Sequence, residues 1–418
     1  MQVSKMAGSL IGSEIIKIGN EVNDMIRKGE QICNLTIGDF DPSIFPIPAE
    51  LRTEITRAYE SGNTNYPPAN GMAGLREAAS SFLQERLGLA YSANDILVAG
   101  GSRPLIYATY LALIDPGDRV VFPVPSWNNN HYCHLSGAQP VLIETSPDNN
   151  FMPTAAEVAP HLAGATLLAL CSPLNPTGTV FTKQDLEAIC DLVLAENQRR
   201  GPNEKPLYIL YDQIYWMLTF GDTEHHDPVN LRPALREYVI YIDGISKCLA
   251  ATGVRVGYAF GPAVVIDKMK AILGHVGAWA PKAEQVATGQ YLPQTQAVDA
   301  FMDQFRQNIQ QSLVALYSGL KELQQQGYPV DAIVPMGAIY LTARLDVLGK
   351  TTPAGQKLAT TKDLTSYLIS DAGLAVVPFS AFGTSDTAPW FRMSVGGASL
   401  ASIEAALPRL KAALDKLI

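Results

Sequence analysis

The sequence predicts an α/β protein. A large domain is built on a mostly parallel seven-stranded sheet covered by helices, and a smaller α+β domain is made from both chain termini. Three observations carry that expectation. Short apolar runs alternate with helical patterns from about residue 95. One long helical stretch follows them. Beyond it the pattern changes to strands mixed with helices.

The apolar runs fall at residues 96–98, 120–122, 141–143, 167–170, 207–211, 238–242 and 256–260. They are rich in β-branched and aromatic residues and apolar on both faces, as suits strands covered by helices on both sides. Residues 295–326 then carry Val298, Phe301, Met302, Phe305, Ile309, Leu313, Leu316, Leu320 and Leu323 at three- and four-residue steps, with Gly327 placed to stop the helix. Such a helix is about 45 Å long, enough to link two domains. Residues 339–341, 374–377 and 391–395 read as strands, 348–362 as an exposed loop and 401–418 as a closing amphipathic helix. The first fifty residues hold too few apolar positions to fold alone and are expected to join the smaller unit. The expected domains are 51–305, and 1–50 together with 306–418.

Composition narrows the function. The 418 residues are 47% hydrophobic and 17% charged, an ordinary mix for a protein with a sizeable core, and the net charge is -9. An acidic chain argues against nucleic acid or an anionic membrane as the main partner. Cys33, Cys133, Cys171, Cys190 and Cys248 are odd in number and scattered, so reduced thiols rather than a disulfide framework are expected. His131, Cys133 and His134 lack a second ligand cluster, and no metal is expected. The N-terminus carries no apolar signal region and no apolar run approaches the length of a membrane span. A cytoplasmic protein is the expectation.

In open α/β sheets ligands bind beyond the carboxyl ends of the strands, so the residues that follow each run matter most. After Val98 come Gly100, Gly101, Ser102 and Arg103 before a helical pattern, a turn that also suits a phosphate at a helix N-terminus. The spacing matches neither the dinucleotide fingerprint nor a P-loop. Trp127 follows the second run, as core or as a platform for a flat ring. Asn175 lies in a loop stiffened by Pro173, Pro176 and Gly178, as a turn former or a fixed amide donor. Asp212 ends the fifth run with Tyr215 three residues on, and an acid there is a helix cap or a buried, paired carboxylate. Ser246 and Lys247 follow the sixth run, then Gly253 and Arg255; a lysine in a glycine-flanked apolar segment is a surface residue or a reactive one. In 391–395, Arg392 and Ser394 take one face, as surface or as a fork for a carboxylate. Together these residues offer an anion cradle, a ring stacker, a buried acid, a reactive lysine and two arginines at one sheet edge. Pyridoxal phosphate requires that combination: a phosphate anchor, a lysine for a Schiff base and an acid for the pyridine nitrogen.

These residues resemble the fold-type I pyridoxal-phosphate aminotransferases of class I/II, aspartate aminotransferase-like. The resemblance runs from Leu35-Thr-Ile-Gly38-Asp39-Phe40 to Arg392. Its most specific pieces are Ser172-Pro-Leu-Asn175-Pro-Thr-Gly, the Asp212 and Tyr215 pair, and Ser246-Lys247 followed by Gly253 and Arg255. It implies that Lys247 carries the cofactor as a Schiff base and shuttles the proton, while Asp212 keeps the pyridine nitrogen protonated. Tyr215 and Asn175 would bond the ring oxygen, and Trp127 would stack on the ring. Gly101, Ser102, Arg103, Ser246 and Arg255 would surround the phosphate. Tyr66 would reach the phosphate of a neighbouring subunit, implying a homodimer with shared sites. Arg392 would clasp the substrate carboxylate with Asn175 and the Gly38 backbone.

The implied reaction moves an amino group from an L-amino acid to a 2-oxo acid. Arg103 takes a position where one bacterial branch of aspartate aminotransferases has a lysine that reads a distal carboxylate, so aspartate or glutamate is an expected substrate. Asn128, Asn129, Asn130 and Pro104 depart from that branch near the pocket entrance. The motifs fix the cofactor more closely than the bond broken. A β-lyase, a decarboxylase and a cyclopropane-forming synthase stand as alternatives, with a non-catalytic sensor of the cofactor further off.

Overall fold

The computed structural model describes residues 3–10, 12 and 14–418. Its strands are β1 (Cys33–Asn34), β2 (Ile96–Ala99), β3 (Arg119–Val124), β4 (Gln139–Glu144), β5 (Ala165–Cys171), β6 (Tyr208–Asp212), β7 (Val239–Gly244), β8 (Gly257–Phe260), β9 (Val330–Ala332), β10 (Tyr340–Leu345), β11 (Leu374–Ala375), β12 (Val377–Pro378) and β13 (Trp390–Ser394). Seven of them form the large sheet in the order β2-β8-β7-β6-β5-β3-β4.

The expected α/β fold is present, and the sheet is mostly parallel. One strand, β8, runs antiparallel to both its neighbours, with Gly257 opposite Gly244 on one side and Ala99 on the other. That reversal matters for the site. The amino end of β8 lies at the sheet edge where β2 and β7 end, so Arg255, two residues before β8, arrives beside Gly100 and Lys247.

The apolar runs bury their side chains as their composition predicts, with one exception. β4 is an edge strand: Gln139 and Pro140 are exposed and Leu142 is 43% exposed. Proline is tolerated there because no further strand needs its missing N–H. Two apolar clusters cover the two faces. One includes Leu168, Ile209, Tyr211 and Tyr241, the other Leu167, Leu210, Ile240 and Ile242.

The long helix spans Thr295–Gln325, about 46 Å. Its buried residues follow the expected stripe, and Gly327 sits just past its end with φ +91. Beyond it, β12-β13-β10-β9 form an antiparallel sheet, and β1 pairs in parallel with β11. The N-terminal segment is therefore tied to the C-terminal part of the chain.

Three local readings are corrected. The single strand at 374–377 divides at Val376 into β11 and β12, which belong to different sheets. Residues 348–362 are not uniformly exposed: Leu358 is fully buried, and Thr360 caps the helix Thr361–Ala372. In β13 both faces are buried, with Arg392 at 2% and Ser394 at 0% exposure, so the surface-strand reading of Arg392 fails. Among the described residues, no helix is long and apolar enough to cross a membrane.

Candidate active site

A cavity of about 670 Å³ opens at the carboxyl edge of the large sheet. It is lined by Gly38, Ser102, Arg103, Trp127, Asn175, Asp212, Tyr215, Ser246, Lys247, Arg255 and Arg392, residues drawn from more than 350 positions of sequence. Nearly every candidate from the sequence thus meets at one place. Gly101 and Tyr66 are not part of the lining.

Lys247 sits in the short helix Ile245–Cys248 directly after β7. Its Nζ donates to the carbonyl oxygen of Gly38 at 2.6 Å. Burial lowers its ammonium pKa from 10.5 to about 8. Asp39 opposes that fall, while Arg392, Arg103 and Arg255 deepen it by repulsion. A lysine so placed is a free amine far more often than one in water.

Asp212 ends β6 and accepts the Ile214 N–H at 3.1 Å. Burial raises its carboxyl to about 6, against the pull of that N–H and of Lys247. The acid is short of cationic partners, the condition under which a protonated ring nitrogen is a welcome neighbour. One residue past β6, Gln213 Nε2 and Trp216 Nε1 both donate to Asp243 Oδ2, at 3.1 and 3.0 Å. This ties the loop that carries Tyr215 to β7, the strand that leads into Lys247.

Arg392 is held from two sides. Its Nη1 donates to Asn175 Oδ1 at 3.1 Å and its Nη2 to the Thr36 carbonyl at 2.5 Å. Its Nε is buried without a partner. An unpaired donor on a buried guanidinium is costly, and an anionic oxygen would satisfy it. The Tyr340 and Phe382 rings lie 4.8 and 5.0 Å from its guanidinium carbon.

At the other end of the cavity the helix Ser102–Leu113 begins, and its first amides point outward with no side-chain cap. Arg255 stands beside it in a left-handed conformation (φ 59), donating to the carbonyls of Thr252 at 2.9 Å and Gly100 at 2.7 Å. Gly101, behind the lining, has φ +92, and a Cβ there would meet Arg255 Nη2 at 2.3 Å. Arg103 lies with its guanidinium carbon 4.7 Å from the Trp127 ring. Tyr66 is 82% exposed and meets Trp279 edge to face at 5.3 Å, outside the cavity.

Several lining residues were not singled out by the sequence. Tyr340 on β10 is one, and its hydroxyl lies 2.5 Å from that of Tyr215. Asp39 is another; its Oδ1 accepts from Thr252 Oγ1 at 2.5 Å. Asn20 and Asn23 reach the cavity from the helix Glu14–Arg27. Asp39 stood inside the quoted run from Leu35 to Phe40, so a signal existed. Tyr340 and the two asparagines had none.

The arrangement fits pyridoxal phosphate. The helix N-terminus and Arg255, whose guanidinium packs where a Gly101 Cβ would stand, suit a phosphate. Asp212 suits a cationic nitrogen, Lys247 offers a near-neutral amine for a carbonyl, and the Arg392 guanidinium at the lining suits a carboxylate.

Comparison with known proteins agrees. Residues 30–410 match the family model for aminotransferase class I and II. An aspartate aminotransferase of Rhizobium meliloti (strain 1021) is 31% identical, the match covering 100% of this chain and 97% of that protein. The crystal structure of the aspartate aminotransferase from Rhizobium meliloti superposes with a TM-score of 0.90 at 30% identity, covering both chains completely. The Thermus thermophilus aspartate aminotransferase with maleate gives 0.86 at 26% identity, covering 99% of this chain and 100% of that one. This chain belongs to the class I and II aminotransferases and is a pyridoxal-phosphate-dependent transaminase.

Proposed function

We propose that the enzyme moves the α-amino group of a dicarboxylic L-amino acid, aspartate or glutamate, to a 2-oxo acid. The observation that carries this reading is that, besides the Arg255 assigned to the phosphate, two further guanidinium groups line the cavity with Lys247: Arg392 from β13 and Arg103 from the first turn of the helix Ser102–Leu113. Two cations suit two carboxylates. The relatives named aspartate aminotransferase support it.

Bound pyridoxal phosphate supplies a carbonyl that condenses with amines and a conjugated ring that accepts the electron pair left at Cα. The chain's own residues do the rest. Lys247 Nζ would take the proton from the substrate Cα and pass it to the cofactor's C4′ carbon, one amine serving both atoms. Asp212 holds a proton on the pyridine nitrogen by charge. Tyr215 and Asn175 hydrogen-bond the ring oxygen, and Trp127 supports the ring face. Gly101, Ser102, Ser246 and Arg255 bind the phosphate, with Arg103 near it. Arg392 orients the α-carboxylate with Asn175 and Gly38. The exposed Tyr66 is free to serve the phosphate of a second subunit, so the active unit is a homodimer. The reading also takes 51–305 as the cofactor domain and the two termini as its partner domain, in a cytoplasmic protein.

A screen of amino donors tests the substrate. Arg103→Ala is expected to raise KM for aspartate about 10- to 100-fold, with little change for alanine. Unchanged aspartate selectivity in that variant would overturn the dicarboxylate assignment.

A further inference from the structure

Tyr340 has no place in the scheme above, yet its hydroxyl meets that of Tyr215 and lies against Gly38. The residue is on β10, fully within the core, at 1% exposure. Its hydroxyl oxygen lies 2.5 Å from the hydroxyl oxygen of Tyr215. The same oxygen is 2.7 Å from the point where a Gly38 Cβ would stand, and Arg392 Nη1 is 3.7 Å from that point. Gly38 is also the residue whose carbonyl receives Lys247 Nζ. Tyr340 therefore stands at the junction of the carboxylate fork, the lysine and the tyrosine assigned to the ring oxygen.

Two phenols at 2.5 Å share one of their two protons. If Tyr215 donates to Tyr340, the Tyr215 oxygen has only lone pairs to offer, which repel a ring oxygen carrying negative charge. If Tyr340 donates to Tyr215, the Tyr215 proton is free to point at that ring oxygen. A donated bond also strengthens the next one in a chain. Among the described residues, no other hydrogen bond is made by either hydroxyl, so the pair alone decides the direction.

We propose that Tyr340 is a positioning residue that donates its proton to Tyr215 and so directs the Tyr215 proton toward the ring oxygen of the bound cofactor. Tyr340 acts through Tyr215 and does not itself meet the ring. The inference rests on the reading of Tyr215 given above. No atom is transferred in it; only the direction of one hydrogen bond is set. A ring oxygen that receives a strong donor bears its negative charge more easily. With the cofactor bound, such a donor would lower the pH at which its lysine-linked absorption band titrates.

The test is the pH titration of the cofactor's absorption band in the ligand-free holoenzyme. Tyr340→Phe keeps the ring and removes only the hydroxyl. It is expected to raise the titration midpoint by about half a pH unit or more, the worth of one buried hydrogen bond. In a Tyr215→Phe background the same change is expected to move the midpoint no further, because the relay is already cut. An unchanged midpoint in the single variant, or an equal shift in both backgrounds, would overturn the proposal. Absence of any Lys247-dependent band in the parent protein would instead overturn the cofactor assignment of these residues, and the proposal with it. A thermal melt of each variant distinguishes a local change from a disturbed core: a shifted midpoint with an unchanged melt supports the relay, and a midpoint that moves only alongside a lowered melt counts against it.

Discussion

The Nζ of Lys247 and the carbonyl oxygen of Gly38 are 2.6 Å apart, although 209 residues separate them. The contact joins the segment after β7 to the N-terminal strand region. It gives the ammonium one neutral acceptor, and Asp39, the next residue in the chain, is the charge that partly offsets its burial.

From this follows a pH dependence of cofactor uptake. Condensation needs the free amine. With the Lys247 ammonium lowered to about 8, the amine fraction falls about tenfold for each unit below that value and saturates above it. The rate at which cofactor-free protein takes up pyridoxal phosphate, followed by absorbance, should therefore climb from mildly acidic pH and level off above about 8. Lys247→Ala should show no lysine-linked band at any pH. Its turnover should be lower by about 10²–10⁴-fold or more, the usual contribution of a positioned acid–base group.

Arg392 offers a second test. Its Nε is the unpartnered donor, and its two other nitrogens are already committed to Asn175 and Thr36. Lysine keeps the charge but not the fork. Arg392→Lys should raise KM for every amino donor about 10- to 100-fold, the loss of one or two charge-assisted hydrogen bonds. It should leave cofactor affinity close to that of the parent. A parallel fall in both would show that the side chain supports the whole edge of the sheet rather than the carboxylate.

Much of this site was legible in the sequence because its residues follow strands. Asp212, Asn175, Trp127 and Lys247 sit just past apolar runs, and a parallel sheet delivers such positions to one edge. Arg255 was found by its glycine-rich context, although periodicity cannot show why it reaches the edge. A strand buried on both faces reads alike in either direction, so the reversal of β8 left no trace. Tyr340 and Asn20 were invisible for a different reason. Tyr340 lies within an apolar strand, where a tyrosine passes as core, and Asn20 lies on the polar face of an N-terminal helix. Only long-range packing brings them to the cavity. Asp243, one residue past the sixth apolar run, is a buried acceptor for Gln213 and Trp216.

Asp212 makes a prediction about stability without cofactor. Its carboxyl is raised from 3.8 to about 6 by burial. The folded state thus holds the proton more tightly than the unfolded chain. The stability it contributes is full below about pH 4 and is lost as pH rises through about 6. Asp212→Asn removes this dependence, while its amide oxygen still accepts the Ile214 N–H. In urea titrations, cofactor-free Asp212→Asn should be more stable than the parent by about 1–3 kcal/mol near neutral pH. The two should converge near pH 4. With cofactor present the order should reverse, since the variant cannot balance a protonated ring nitrogen.

Gly101 separates backbone conformation from the shape of the phosphate cradle. Its φ of +92 disfavours any side chain, and a Cβ would stand 2.3 Å from Arg255 Nη2 and 2.7 Å from its guanidinium carbon. The guanidinium is itself tied to the carbonyls of Thr252 and Gly100, so it cannot retreat without losing those bonds. Gly62 has a similar φ of +76 but open space where its Cβ would fall. Both alanine variants should lose about 1–3 kcal/mol of stability from the positive-φ backbone. Only Gly101→Ala should also weaken cofactor binding, by about tenfold or more, because it displaces the arginine that faces the helix N-terminus. Titrating pyridoxal phosphate against protein fluorescence checks the difference. Equal affinities in the two variants would mean that the glycine serves the turn alone and that Arg255 holds its place by other contacts.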